Sequence, residues 1–375
     1  MTGTRPIDIA RLRLVAQSIH SPAERSPLET VRRMTAMQGQ DLPGALWSIG
    51  LRSVSATEAD VRAAFDRGEI IRSWPMRGTL HVTTPDDLRL ILPLSRHRLE
   101  TAFATRRREL EIERRDIAEA TDVALAALPG RPMIRKELLA AFEAAGQHTT
   151  GQRGAHLLGA IAHAGLICLG PFVGREQAFV LLDEWAPAGR PDLDRDEAIA
   201  ELAFRYFTGH GPATVADFAW WANLTLTDVR RATARVADRL GTLTDGATTF
   251  YGSPDIVDSV EAVPGSRSVH ALPGFDENLL GYTDRSAALA AAHSQLIVPG
   301  NNGMFKATVV AGGRVIGTWA RTEKSSSILV TGHPFSELGS GKRSALARAL
   351  QRYGRFKGKP VELTVAPPEG PAATL

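Results

Sequence analysis

The sequence is poor in cysteine, in lysine and in long apolar runs. Cys168 is its single cysteine, so an internal disulfide and a cysteine-based zinc site are both excluded. It sits in the apolar stretch Leu166-Ile167-Cys168-Leu169, which suits a buried, inert thiol better than a nucleophile. Met1 to His20 hold no apolar stretch of signal-peptide type. The most apolar segment, Ala155–Leu169, is too short to cross a bilayer and contains His156 and His163; no membrane partner is expected and the location is taken as cytoplasmic. The ten histidines show no His-Glu-x-x-His or comparable spacing, so neither a metal nor another cofactor is expected. Of 44 basic residues only six are lysine and 38 are arginine, against 41 acidic ones, for a net charge of +3. So small an excess does not by itself announce nucleic acid. The planar arginine fork suits phosphate and base-edge contacts, but codon bias in an Ala/Arg-rich genome gives the same ratio.

What is present is enough for a sizeable core. The chain of 375 residues is 43% hydrophobic and 23% charged, which excludes general disorder and points to two to four units. Apolar residues at 28, 31, 34 and 37 predict a helix over Leu28–Met37, opened by Pro27. Short helices follow at Pro43–Leu51 and Thr57–Arg67, then strands at Glu69–Trp74 and Gly78–Thr83. Three helices and a β-hairpin is the order of a winged helix. The order recurs with Ile117–Leu128, Ile134–Ala145 and Gly151–Ala164 before strands Leu166–Leu169 and Gln177–Leu182. It recurs again with Asp194–Tyr206, Thr214–Trp220 and Thr227–Val236 before strands near Leu240–Leu243 and Thr248–Tyr251. After residue 262 the character changes. Strands are expected at Phe305–Val310, Arg314–Trp319, Ser327–Val330 and Val361–Val365, with one helix at Ser344–Tyr353 and a loose tail from Pro367 to Leu375.

Several motifs fail on their spacing. Gly339-Ser340-Gly341-Lys342-Arg343-Ser344 has Ser336 where a phosphate loop needs glycine and Arg343 where it needs Ser or Thr; a helix N-terminus able to hold one phosphate remains. The Gly312–Gly317 run lies between strands and opens no helix, against a dinucleotide site. His156 and His163 read as core or surface residues. The arginines between Arg96 and Arg115 are interleaved with glutamates, as on a solvated helix with paired charges. A second basic run, Lys342, Arg343, Arg348, Arg352, Arg355, Lys357 and Lys359, has no acidic residue between Leu338 and Pro360. Internal pairing explains it less well than phosphate contact. Gln38-Gly39-Gln40 closes the first helix, and Asp41 beside it is either a base or part of the turn into the next helix.

Distant segments taken together carry more. Gln38-Gly39-Gln40 is followed by Arg72-Ser73-Trp74-Pro75-Met76-Arg77-Gly78-Thr79-Leu80-His81, by His210-Gly211-Pro212-Ala213-Thr214 with Asp217-Phe218-Ala219-Trp220-Trp221, by Leu272-Pro273-Gly274-Phe275-Asp276-Glu277 with Gly281-Tyr282-Thr283-Asp284-Arg285, and by Gly303-Met304-Phe305 with Gly313–Trp319. In this order, over nearly the whole chain, they resemble the winged-helix DNA glycosylases of the AlkZ/YcaQ type. The resemblance implies an α+β fold of three tandem winged-helix units, residues 1–110, 111–190 and 191–262. A small C-terminal β-barrel-like domain would follow at 263–375, all around a concave DNA channel. It implies that Gln38 and Gln40 are catalytic, in the Gln-x-Gln form of the AlkZ branch, and Asp41 is one place too far to be the acid of the Gln-x-Asp form. It implies a probing hairpin, for which Thr331–Phe335 with His333 and Pro334 is the candidate. DNA contacts are expected from these two, from Arg77, and from Lys342, Arg343, Arg348 and Arg352. The implied activity is monofunctional excision of N7-alkylated purines, bulky guanine adducts and crosslinks included, in base-excision repair or self-resistance. The expected partner is duplex DNA with an alkylated guanine, and the protein is expected to act as a nucleoid-associated monomer. The alternative is a DNA-binding regulator without catalysis.

Overall fold

The computed structural model describes residues 8–24, 26–187, 189 and 193–368; the expected tail therefore lies outside the described residues from 369 onward, as does the start of the chain up to residue 7. Several helices begin on a residue whose side chain satisfies free N–H groups. Ser26 caps the helix Pro27–Met34. Thr57 and Asp60 cap the helix Glu58–Asp66 reciprocally, and Thr214 with Asp217 does the same for Val215–Ala222.

The first segment holds helices Pro27–Met34, Leu42–Arg52 and Glu58–Asp66 with strands β1 (Ala36–Gln38), β2 (Ile71–Met76) and β3 (Thr79–Thr83). Arg77 and Gly78, both at positive φ (56° and 69°), make the two-residue turn between β2 and β3. The helix Pro85–Glu109 then runs 25 residues. It carries much of the mixed-charge cluster, and Arg96 pairs with Glu100 and Arg106 with Glu109 on its surface, as a solvated helix should. The second segment has helices Arg114–Ala127, Arg135–Ala144 and Arg153–His163 with β4 (Met133–Ile134), β5 (Ile167–Val173) and β6 (Glu176–Leu181). Its hairpin does not stand alone: β5 pairs with β2, so the two hairpins share one six-stranded sheet in the order β1-β3-β2-β5-β6-β4. The third segment, helices Arg195–His210, Val215–Ala222 and Leu226–Arg235, ends in a separate hairpin of β7 (Gly241–Asp245) and β8 (Thr248–Gly252).

The C-terminal part differs from expectation in closure. Strands β9 (Val269–Leu272), β10 (Thr308–Ala311), β11 (Arg314–Glu323), β12 (Ile328–Pro334) and β13 (Val361–Val365) form an open sheet in the order β13-β12-β11-β10-β9. No closed barrel forms among the described residues, because β9 and β13 are edges that never pair. The helix Ser340–Lys357 packs across this sheet. Thr331–Phe335 is likewise no hairpin turn. Through Pro334 it is the end of β12, with His333 opposite Thr318 and Pro334 opposite Gly317. Phe335 is buried, stacked on His293 at 4.1 Å, and its N–H donates to Ile316 at 2.9 Å. Gly-His-Pro looks like a turn in sequence, but a proline is tolerated at a strand end.

Two cores set the position of the site. One unites residues between Leu14 and Val82 with residues between Ala271 and Phe356. Trp47 lies at its centre, 5.1 Å from the Tyr353 ring and 5.2 Å from Phe356, with its indole N–H donating to Ala271. The other joins the third segment to Ala36, Met76, Ile91, Leu94 and Tyr282. The loop between β9 and β10 reaches both, since it contributes Leu279 to the first and Tyr282 to the second.

Candidate active site

Gln38 ends a strand and Gln40 lies in the bend just after it, where the sequence suggested a helix end. The helix stops at Met34; Thr35 takes φ 61° and its carbonyl accepts the Thr83 hydroxyl at 2.8 Å. The chain then straightens into β1, which pairs with β3 and sets Gln38 opposite His81. Gln38 is 9% exposed, and Gln40 lies open. The Gln38 side-chain carbonyl accepts the Gln40 N–H at 2.5 Å, and that of Gln40 accepts the Leu80 N–H at 3.3 Å. Each amide oxygen is thus held by the backbone with a lone pair to spare. Neither NH₂ group has a hydrogen-bond partner among the described residues. Gly39 lets the motif lie flat on β3: a Cβ there would stand 3.3 Å from Arg72 Cδ and from the His81 backbone. Asp41 occupies the N-cap position of the helix Leu42–Arg52, folded so closely over Gly44 that a Cβ would meet its carboxylate at 2.5 Å. That is the turn reading of Asp41.

Behind the glutamines lies a buried polar layer. Arg77 donates to His81 Nε2 at 2.9 Å, and His81 Nδ1 donates to the Thr79 carbonyl at 2.9 Å. These partners require a neutral ring with its proton on Nδ1. Burial, and then the Arg77 charge, push the His81 pKa down to about 3. Glu277, 1% exposed, accepts the Gln38 N–H at 2.9 Å through Oε1 and the Trp221 indole N–H at 3.1 Å through Oε2. His210 Nε2 stands 3.4 Å from the same Oε2. Burial works to raise the Glu277 pKa, but contact with His210 and the charge of Arg77 outweigh it and hold the carboxyl at about 2. Burial pushes His210 down, so the pair is a carboxylate beside a neutral imidazole. The next acid, Asp276, takes two hydrogen bonds from Arg52, each near 2.8–2.9 Å, and one from Ser48 at 2.8 Å.

The expected DNA contacts fall into two groups. Lys342, Arg343 and Arg348 are exposed on the helix Ser340–Lys357. Arg352 on the same helix turns inward and donates to the Leu51 and Ser53 carbonyls. The run is not free of acids in space either: Lys357 pairs with Glu58 and Glu323. Arg77 is half-buried and engaged within the protein. Besides His81 it reaches the Leu280 carbonyl at 3.4 Å and lies 4.6 Å over the Trp220 ring. His333 and Pro334 sit on β12, as described above. His163 is in the core, its ring stacked on Phe103 at 5.6 Å. Cys168 is buried and unpaired, with burial pushing its thiol up to about 12. Among the described residues no cluster of His, Cys, Asp and Glu could hold a metal ion, and no helix is long and apolar enough to cross a membrane.

A model of the family described as DNA glycosylase AlkZ-like matches residues 31–356. The chain belongs to this family. It is a DNA glycosylase, and the regulator alternative is not favoured. An "Interstrand DNA cross-link repair glycosylase" of Streptomyces sahachiroi is 23% identical over 338 residues, 87% of this chain and 90% of the relative. The solved structure of the Streptomyces sahachiroi DNA glycosylase AlkZ superposes with a TM-score of 0.77 at 23% identity, covering 95% of this chain and 98% of that one. It shows that the AlkZ-like fold is shared. Sequence reasoning quoted the segments holding His81, His210, Trp221 and Glu277 without assigning these residues to a site. One signal was available: Asp276-Glu277 is a pair of acids in Leu272–Leu280, a stretch that is apolar apart from them and Asn278, and buried acids demand partners.

Proposed function

We propose that this AlkZ-like glycosylase excises N7-alkylated guanine from duplex DNA, with Gln38 and Gln40 as its catalytic pair. The observation that carries the reading is the pair of side-chain amides, held by backbone N–H groups and with both NH₂ groups uncommitted. An N7-alkylguanine is cationic and leaves without protonation. The enzyme must then bind the lesion, stabilise the sugar as it becomes positive and place one water. The spare lone pair of a glutamine carbonyl can accept from that water, and the negative end of its amide dipole favours the developing charge. Neither residue is an amine, so the pair forms no Schiff base and the enzyme is monofunctional. The crosslink-repair name of the Streptomyces sahachiroi relative supports extending the substrates to bulky adducts and interstrand crosslinks. In this reading the three segments at 1–110, 111–190 and 191–262 are winged-helix units, 263–375 is the C-terminal unit, and one chain lines a concave DNA channel alone.

The test is a duplex with a single 7-methylguanine, incubated with protein and then cleaved at abasic sites with alkali. Wild type is expected to give strand breaks, and Gln38→Ala and Gln40→Ala each to lower the single-turnover rate by roughly 100-fold or more. Breaks undiminished in both variants would remove the pair from catalysis. No breaks from wild type with 7-methylguanine or with a larger N7 adduct would remove the substrate class.

The exposed basic face is read as a phosphate contact that tracks the duplex. Arg343→Ala and Arg348→Ala are expected to weaken lesion and undamaged DNA alike. Each should lower the slope of log K against log salt by about one unit. Titration at several salt concentrations checks this, and an unchanged slope removes the helix from the interface.

A further inference from the structure

The catalytic pair is uncharged, yet the sugar it acts on becomes a cation. Among the residues that contact the motif, Glu277 supplies a carboxylate. It touches Gln38 directly, at 2.9 Å to the peptide nitrogen, from a position sealed off from solvent. Its carboxylate is tied down on both oxygens, by the Gln38 N–H on one and by the Trp221 indole on the other. Its own backbone is anchored as well. Its carbonyl accepts from Gln17 Nε2, which also meets the Tyr282 hydroxyl, and the neighbouring Asp276 is clamped by Arg52. Gly281 packs so tightly here that a Cβ would stand 2.7 Å from the Glu277 carbonyl and 3.0 Å from the His210 ring. An acid buried this deeply is costly unless it is matched. Arg77 is the nearby cation, and it is engaged with His81 and Leu280 while its guanidinium packs on Trp220.

We propose that Glu277 is a positioning residue for excision: its carboxylate fixes the Gln38 peptide and sets a permanent negative charge behind the two glutamine amides, on the far side from the sugar. Glu277 itself never meets DNA. It acts through β1 in two ways. The bond to the Gln38 N–H fixes where the Gln38 side chain starts, and hence where the water is placed. The buried charge acts through a low-dielectric interior, where it is weakly screened, and favours the positive sugar over the neutral ground state. The neutral Gln-x-Gln motif thus works with a carboxylate held one layer back. The proposal rests on the reading of Gln38 and Gln40 as the catalytic pair.

The test compares Glu277→Gln, which keeps an acceptor for Gln38 but loses the charge, with Glu277→Asp, which keeps the charge. Three quantities are read: the single-turnover excision rate, the affinity for undamaged duplex, and the affinity for duplexes bearing either a cationic pyrrolidine or a neutral tetrahydrofuran in place of the lesion nucleotide. Wild type is expected to prefer the pyrrolidine about tenfold or more. Glu277→Gln should lose most of that preference and slow excision on the order of 10- to 100-fold, with affinity for undamaged DNA within about twofold of wild type. Glu277→Asp should recover the preference. A purely structural role would lower thermal stability without changing the ratio of the two analogues. A wild-type rate in folded Glu277→Gln overturns the proposal. If Glu277→Gln does not fold, the Gln38→Ala/Gln40→Ala double variant decides, since it keeps the buried charge without the two amides: equal affinity for the two analogues overturns the proposal, and a preference that persists there carries it. Failure of the underlying reading looks different, because Gln38→Ala and Gln40→Ala would then excise normally whatever Glu277 does.

Discussion

Asp276→Asn is expected to destabilise the fold by about 3–5 kcal/mol, the cost of breaking a buried ion pair from one side. Arg52 is 0% exposed and donates to both Asp276 oxygens, to Gln17 Oε1 and to Ser48. Asparagine keeps the shape and the local cap to Asn278, which Asp276 Oδ1 provides at 2.9 Å. It leaves the guanidinium as an uncompensated charge in a closed core. A domain stability of about 5–15 kcal/mol makes that a large fraction of the whole. Arg52→Met in the same background should recover part of the loss, because it removes the orphaned charge as well. Urea midpoints of the three proteins check this, and a single variant within about 1 kcal/mol of wild type would show that the pair is dispensable. The effect should extend beyond stability. Arg52 lies on the helix that starts just after the glutamine motif, and Asp276 precedes Glu277, so the pair ties the motif to the loop carrying its carboxylate.

Local signals in the sequence were legible; long-range pairings were not. Helix periodicity and caps located most helices of the first 262 residues within a few residues, because Thr57 with Asp60, Asp194 with Glu197 and Thr214 with Asp217 are short-range chemistry. Hairpins were found where positive-φ residues interrupt apolar runs, as at Gly78 and Gly312-Gly313. The joining of two hairpins through Arg72 opposite Leu169 has no local mark, and neither does the failure of the C-terminal sheet to close. β9 was missed because it is only four residues long. The helix end was placed at Met37 because Met37 continues the apolar period, while the turn at Thr35 depends on a contact with Thr83 far along the chain. The same limit applies to the site. Gln38 and Gln40 were visible as a motif, but Glu277 reaches Gln38 across 239 positions. Basic residues counted along the chain could not reveal that Arg352 faces the Leu51 and Ser53 carbonyls or that Lys357 meets Glu58.

Acid should unfold the protein from about pH 6.5 downward while leaving its chemistry intact above that point. His81 is held at about 3, His163 and His270 at about 4, and His210 below its ordinary value, in each case chiefly by burial. The charged groups that act on these rings include Arg77 and Glu277 for His81, Arg107 and Glu100 for His163, Arg352 and Arg52 for His270, and Glu277, Arg52 and Arg77 for His210. In the unfolded chain each ring titrates near 6.5. Between the folded and unfolded values the unfolded state binds the extra proton, so stability is complete above about 6.5 and falls as pH is lowered. The slope is about 1.4 kcal/mol per pH unit for each fully titrating histidine. For the three rings held near 3–4, the loss by pH 4.5 reaches several kcal/mol, comparable to a whole domain's stability. Glu277 acts only further down, its contribution being lost as pH falls from about 4.5 towards about 2. Thermal midpoints measured from pH 8 to pH 5 should be level at first and then drop steeply below about 6.5; a level midpoint down to pH 5 would show that these rings are not held neutral. The excision rate provides the second half of the argument. Two amides have nothing to titrate, and His81 stays neutral and Glu277 ionised throughout pH 6.5–9, so the enzyme adds no limb beyond the ionisation of the alkylated base itself. The ratio of single-turnover excision to spontaneous loss of the same base should therefore be flat across that range. A bell-shaped profile with a limb near neutrality would require a titrating base that the glutamine pair does not contain.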